Sequence, residues 1–375
     1  MVTQRKIHKI VLVSVTLAIL MVILLSGLRP KGFRLSNNVH WLTDKPGIRF
    51  GAYGIAYTAL SDNGIESVLS ESGSFSIEIA IKSEPYSQEG FNLILVLHNG
   101  RDRNQLLIGQ YCSSLIIMNG DDYRNRRKTK RVVVNKVFQS PKEIFLSITT
   151  GQEGTKAYID GQLIKGKKDL TLQIPHKGDA SPNLILGNSV YGNSSWRGDI
   201  YGLALYRNEL KKEEVELHYN KWSMEQNFSF AKQEKPFLLY LFDEKKGVKA
   251  LDHASGNQHL KIPERMHILK KMMLSAPWVK FELNKSFIQD LIINLLGFIP
   301  LGFMLFATFI ELGGTPKKGY MLITMALCFA VSLSIEIAQA WLPSRSSQTL
   351  DVILNTTGAL IGAMIYRKCG TGISM

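Results

Sequence analysis

The chain has 375 residues, 45% of them apolar and 20% charged, with 45 Lys and Arg against 31 Asp and Glu. That balance, with 31 Gly and only 12 Pro, excludes a disordered, collagen-like or proline-linker protein, and the length suggests about two domains. A mean hydropathy of 0.00 in so charged a chain requires apolar residues gathered into blocks.

The first block, residues 10–28, carries no charge for nineteen residues and lies between Arg5, Lys6, Lys9 and Arg29, Lys31, Arg34. At 1.5 Å per residue it reaches about 30 Å, the depth of a bilayer core. It exceeds the apolar stretch of a cleaved signal peptide, and Ser26-Gly27-Leu28-Arg29 makes a poor cleavage site, so it reads as a retained anchor after a cytoplasmic N-terminus of residues 1–9.

Residues 29–265 are predicted to fold outside the membrane as an all-β two-sheet sandwich, followed by a juxtamembrane connector over 266–286. The apolar period there is two: Phe75, Ile77 and Ile79 alternate with Ser76, Glu78 and Ala80. Short apolar runs recur at 93–97, 106–109, 115–118, 144–149, 155–159, 184–187 and 200–206, and Asp160-Gly161 between two of them reads as a hairpin turn. One amphipathic stretch, 209–222, predicts a short helix lying on the sheets, with His218 engaged in packing rather than catalysis. Residues 29–285 hold 37 Lys and Arg against 27 Asp and Glu, densest at Arg124, Arg126, Arg127, Lys128, Lys130 and Arg131. Such a face suits anionic polymers or lipid headgroups, or is simply a solvated loop; its outer location argues against nucleic acid.

Three further apolar runs, 287–312, 320–342 and 350–366, complete an α-helical bundle of four spans, ending in a cytoplasmic tail of 367–375. Lys and Arg of short loops stay on the cytoplasmic side, which places Lys317, Lys318, Arg367 and Lys368 inside with both termini and leaves the sandwich outside. Arg345, in the outer loop between the last two spans, breaks this pattern. Cys112, Cys328 and Cys369 lie far apart with no CxxC pair, so each reads as a lone thiol, and zinc ribbons and disulfide scaffolds are excluded.

Polar side chains inside spans are costly, about 2.5–3.5 kcal/mol for an acid at mid-span, so their placement is informative. Asp290 and Asn294 open the second span, Glu336 and Gln339 close the third, and Asp351 and Asn355 open the fourth. Spacings of four, three and four put each pair on one helix face. With Arg345 they predict a polar pocket open to the outside, above close helix contacts at Gly297, Gly302, Gly358 and Gly362. The alternative is that the same groups only glue three helices together.

Two resemblances attach to these residues. The runs Ser74-Phe75-Ser76-Ile77-Glu78, Tyr158-Ile159-Asp160-Gly161, Leu184-Ile185-Leu186-Gly187 and Trp196-Arg197-Gly198, over about 48–225, resemble the laminin-G-like, concanavalin-A-like jelly roll. That resemblance implies a sandwich binding glycans or protein ligands and allows calcium, for which these residues offer no ligand set; no other cofactor and no metal is expected. Polysaccharide-cleaving relatives carry two or three alternating acids on one strand, whereas the comparable strand here has Glu78 alone, so glycoside hydrolysis is not expected. The fragment Tyr240-Leu241-Phe242-Asp243, with Asp252 and Leu260 beyond it, is similar to opening strands of the same fold and either joins the first sandwich or caps it.

The residues Asp290, Asn294, Gly297-Phe298-Ile299-Pro300-Leu301-Gly302, Glu336, Gln339, Arg345, Asp351, Asn355, Gly358 and Gly362, over about 286–366, resemble the VanZ-like membrane family. One member of that family is linked to teicoplanin resistance. The resemblance implies a bacterial plasma-membrane protein whose partners are membrane lipid, an envelope glycan or anionic polymer, and a lipid-linked cell-wall precursor or glycopeptide. Two functions fit: a binding protein, or a membrane enzyme using Glu336 or Asp351 as acid or base and Arg345 as a phosphate clamp. With no recognisable nucleophile, HExxH or P-loop in the chain, no catalytic residue is assigned and binding is favoured.

Overall fold

The computed structural model describes residues 2–28, 35–58, 73–84, 90–98, 105–120, 129–175, 183–254, 257–277, 285–313, 318–342, 345 and 347–370. They fall into two units, one of Leu35–Leu269 and one of Met1–Arg34 with Lys270–Met375.

Along the first unit run β1 (Val39–Trp41), β2 (Ile48–Phe50), β3 (Ala56–Thr58), β4 (Phe75–Ser83), β5 (Phe91–His98), β6 (Gln105–Tyr111), β7 (Ser114–Gly120) and β8 (Arg131–Val134). They are followed by β9 (Glu143–Gly151), β10 (Gly154–Ile159), β11 (Gln162–Lys167), β12 (Asn183–Leu186), β13 (Gly198–Tyr206), β14 (Leu238–Tyr240), β15 (Lys249–Ala250) and β16 (Leu260–Lys261). One antiparallel sheet has the order β1-β2-β13-β4-β9-β10-β11, with β14 also on β13; the other has the order β15-β16-β3-β12-β5-β6-β7-β8. Phe75, Ile77, Ile79 and Ile81 on β4 and Leu146 and Ile148 on β9 fill the space between the sheets with Leu95, Leu97, Leu106, Ile108, Leu115 and Ile117. The strand runs read from the alternation lie within these strands except at 184–187, where Gly187, at φ 78°, falls one residue past β12, and the Asp160-Gly161 turn has left-handed φ values of 51° and 77°, as a two-residue hairpin requires.

The fragment around 240–260 joins the sandwich rather than capping it, and it joins both sheets. Leu238–Tyr240 pairs with β13, whereas Leu260–Lys261 pairs with β3.

Alternation along β4 does not extend to exposure. Ser76, Glu78 and Ala80 point away from the inter-sheet core yet are fully buried, because a helix covers this face. That helix spans Lys212–Glu225, three residues later than expected, since Lys211 is extended at φ −74°, ψ 162° and the Leu210 N–H is taken by Ser76 Oγ. Its buried face, Val215, His218 and Trp222, packs with Phe145, Tyr206, Phe228 and Phe230. Beneath it Glu78 accepts hydrogen bonds from Ser147 Oγ at 3.1 Å and Tyr206 OH at 3.1 Å and pairs with His218 Nδ1 at 2.9 Å. Glu78 therefore lies under a helix and not in a cleft, and His218 is a packing residue with a polar partner.

In the second unit α1 covers Val2–Leu28; with the Lys212–Glu225 helix counted as α2, it is followed by α3 (Lys285–Gly297), α4 (Ile299–Gly313), α5 (Lys318–Gln339) and α6 (Thr349–Gly370). Four stretches are long and apolar enough to cross a bilayer: Lys6–Leu28, Phe287–Gly313, Gly319–Gln339 and Thr349–Cys369. The chain is a membrane protein. The second stretch is interrupted at Phe298, because Pro300 has no N–H to give the preceding turn and its ring crowds the carbonyl there; the ladder resumes with Gly302 N–H to Phe298 O at 3.0 Å. The last is longer than 350–366, as the helix continues through Arg367 and Lys368, which suit its C-terminal dipole. All three cysteines are free thiols.

Burial alone would lower the pKa of His218, but the hydrogen bond and charge of Glu78 raise it above its ordinary 6.5. A raised histidine contributes stability that is complete below about pH 6.5 and is lost as pH rises through the folded-state value. The soluble 35–269 fragment should therefore fold alone, melt cooperatively without sensitivity to reductant, and lose melting temperature as pH rises through that window. His218→Gln should abolish this slope and cost about 3–5 kcal/mol, the penalty for leaving Glu78 without its partner; a denaturant titration at two pH values measures both.

Candidate functional site

The six polar residues of the spans and Arg345 in the loop meet different partners. Glu336, at the end of α5, is 2% exposed, and its Oε2 accepts the Gln348 N–H at 2.8 Å. Ser347, fully buried, hydrogen-bonds the same carboxylate. Asp351, in the first turn of α6, takes a side-chain hydrogen bond from Asn294 of α3 and lies near enough to Asp290 for repulsion. Arg345 lies within electrostatic reach of both Glu336 and Asp351. Among the described residues it forms no ion pair, and its Nε is buried without a hydrogen-bond partner.

Gln339 and Asn355 also make contacts of their own with neighbouring helices. Gln339 Nε2 donates to the Gly27 carbonyl of α1 at 2.9 Å, and Asn355 Nδ2 donates to Ser332 Oγ at 2.8 Å, about one helical turn deeper than Asp351. Both act as helix-to-helix links. The Asn355 Oδ1 atom is left without a partner. The cluster that remains is Asp290, Asn294, Glu336, Arg345 and Asp351.

The loop carrying Arg345 is pinned by residues that the sequence pattern did not single out. Ser347 Oγ accepts the Leu274 N–H at 3.0 Å, its carbonyl accepts the Ser275 N–H at 2.9 Å and the Ser275 hydroxyl at 2.9 Å, and Thr349 donates its N–H to Ser275 O at 3.1 Å. Lys271 Nζ sits 3.9 Å over the Trp341 ring. Small polar residues in a connector give no periodic signal, and a bridge 72 residues apart in sequence leaves no local trace.

Of the four glycines, three permit close approach. A Cβ on Gly302 would strike the Ala359 backbone, one on Gly358 the Leu295 carbonyl, and one on Gly362 the Ile299 carbonyl and Phe303 N. Gly297 is exposed, at the end of α3 with open space beside it, so its expected packing role is not realised. In the basic patch Arg124, Arg126, Arg127 and Lys128 lie outside the described residues; Lys130 Nζ is 3.3 Å from Asp169, and Arg131 begins β8.

Comparison with known proteins finds likenesses for both units. Residues 237–370 match the VanZ/LLP1 family model. The matched region extends further toward the N-terminus than 286 and takes in β14–β16 as well as the VanZ-like helices. Protein VanZ of Enterococcus faecium is 33% identical over 78 residues, covering 21% of this chain and 44% of VanZ, so the chain spans less than half the length of that relative. Among solved structures, the receptor binding domain of botulinum neurotoxin C/D mosaic serotype is similar at 17% identity and a TM-score of 0.39, over 52% of this chain and 47% of that one. A putative carbohydrate binding protein from Bacteroides ovatus is similar at 15% identity and a TM-score of 0.41, over 60% and 58% of the two chains.

The glycine contacts yield a contrast within the VanZ-like helices. Gly358→Ala and Gly362→Ala should each cost about 1–3 kcal/mol through overpacking, whereas Gly297→Ala should be neutral or slightly favourable. Recovery of monodisperse protein from detergent extracts should fall several-fold for the first two and stay level for the third.

Proposed function

We propose that this is a multi-pass protein of the bacterial plasma membrane, with cytoplasmic termini and an outer sandwich, whose Arg345 cluster receives the polar headgroup of a lipid-linked envelope molecule. The observation that carries this reading is the guanidinium of Arg345, held near two carboxylates without pairing to either and with Nε buried and unbonded. If the cluster served only to join helices, a half-satisfied buried network would be worse than an apolar contact. A ligand with acceptor oxygens, such as a phosphate or sugar hydroxyls, completes it. Basic segments at Arg5–Lys9, Lys317–Lys318 and Arg367–Lys368 support the orientation, and the excess of Lys and Arg over 29–285 supports an anionic envelope polymer or glycan as the partner of the sandwich. The VanZ likeness supports a contribution to glycopeptide resistance through that binding.

The full chain in lipid nanodiscs should bind a lipid-linked cell-wall precursor. Arg345→Ala and Glu336→Gln should preserve the amount of folded protein while reducing binding at least about tenfold, the loss of one charge-assisted hydrogen bond. Accumulation that falls in both variants with affinity per molecule intact would assign the cluster to helix joining. A phosphatase fused after Asn227 should be active and one at the C-terminus inactive; the reverse would place the cluster on the cytoplasmic side.

A further inference from the structure

The VanZ-like cluster leaves another group of ligand-bearing side chains unused. Between β14 and β16, Asp243, Glu244 and His253 bring one donor atom each to within 4.8 Å of the others. Two of the three residues lack ordinary partners at the atoms concerned: Glu244 Oε2 and His253 Nε2 are both shut off from water with no hydrogen bond. His253 Nε2 lies 3.7 Å from Asp243 Oδ1, too far for a hydrogen bond. A tetrahedral metal with bonds of about 2.0–2.1 Å would set its ligand atoms about 3.3 Å apart, so this pair needs only a small closure.

We propose that Asp243, Glu244 and His253 bind a divalent transition-metal ion of the zinc class. The donor set decides the class: an imidazole with two carboxylates suits zinc and its neighbours, whereas calcium takes oxygen ligands throughout. The supports of these side chains are set without the metal. The other oxygen of Glu244 accepts the Leu251 N–H, and the His253 N–H is bonded to Leu239 O at 2.8 Å. Asp252, next to His253, braces the turn by accepting the N–H groups of Leu239 at 3.0 Å, Ala254 at 3.0 Å and Gln258 at 3.1 Å. Three protein ligands leave a coordination position for water or for an oxygen donor of a bound molecule. Half of the Asp243 side chain is exposed, which gives that position a route to solvent.

The test is calorimetric titration of zinc into the full chain, purified in detergent and stripped with chelator, beside a matched titration of calcium. Saturable binding of one zinc ion per chain is expected, weakened roughly tenfold or more in His253→Gln and in Asp243→Asn, with a zinc-dependent rise in melting temperature lost in both. Asp243 is exposed enough for its variant to fold even if the His253 variant does not. No saturable zinc binding, zinc binding unchanged in Asp243→Asn, or calcium binding as tightly as zinc would each overturn the assignment.

Discussion

A carboxylate removed from water must find hydrogen bonds, and Glu336 finds them in the chain that follows its own helix. The Gln348 N–H and Ser347 satisfy it, and Ser347 in turn holds Leu274 and Ser275. The turn between α5 and α6, the start of α6 and the strand-like stretch at 274–275 are thereby tied to one side chain. Arg345 lies in this loop, and among the described residues it forms no ion pair, with its Nε buried and unbonded. Removing the acid would release the loop as well as a charge, so the conservative Glu336→Gln is the informative substitution there.

The same constraint operates in the sandwich at Glu78. Ser147, Tyr206 and His218 converge on it from two strands and a helix, and the helix is held to the sheet by this polar contact as well as by Trp222 against Phe145, whose ring centroids are 5.5 Å apart. In both units a buried acid fixes where one element meets another. The difference lies in completeness: every oxygen of Glu78 has a partner, whereas beside Glu336 a guanidinium nitrogen has none.

Much of the architecture was legible because it rests on period and composition. The long strands and the four spans are written in repeating apolar positions, and Asp160-Gly161 in a turn chemistry that needs positive φ. The three-residue strands β1, β2 and β3 were missed, since a run that short has no period. The breadth of the buried face on β4 was missed for a different reason: alternation reports one covered face, and the helix at Lys212–Glu225 covers the second. In the bundle, spacing places each polar pair on one helix face but cannot say which neighbour that face meets, so the bonds of Gln339 to α1 and of Asn355 to Ser332 were not legible. The Asp243, Glu244 and His253 group had no motif spacing at all, being assembled by a turn.

Strand order also sets a schedule for folding during synthesis. β3, near the start of the sandwich, is closed on one side only by β16, and β13 receives β14 some twenty residues earlier. A chain emerging from its N-terminus therefore carries unpaired strand positions in one sheet until residue 240, and in the other until residue 261, has been made. The next apolar segment, α3 with α4, is then already close behind in the ribosome. Completion of the sandwich and delivery of the second span thus fall within a few seconds of each other at ordinary elongation rates of about 5–20 residues per second, and a pause in translation after residue 261 would let the sandwich finish before the membrane helices arrive.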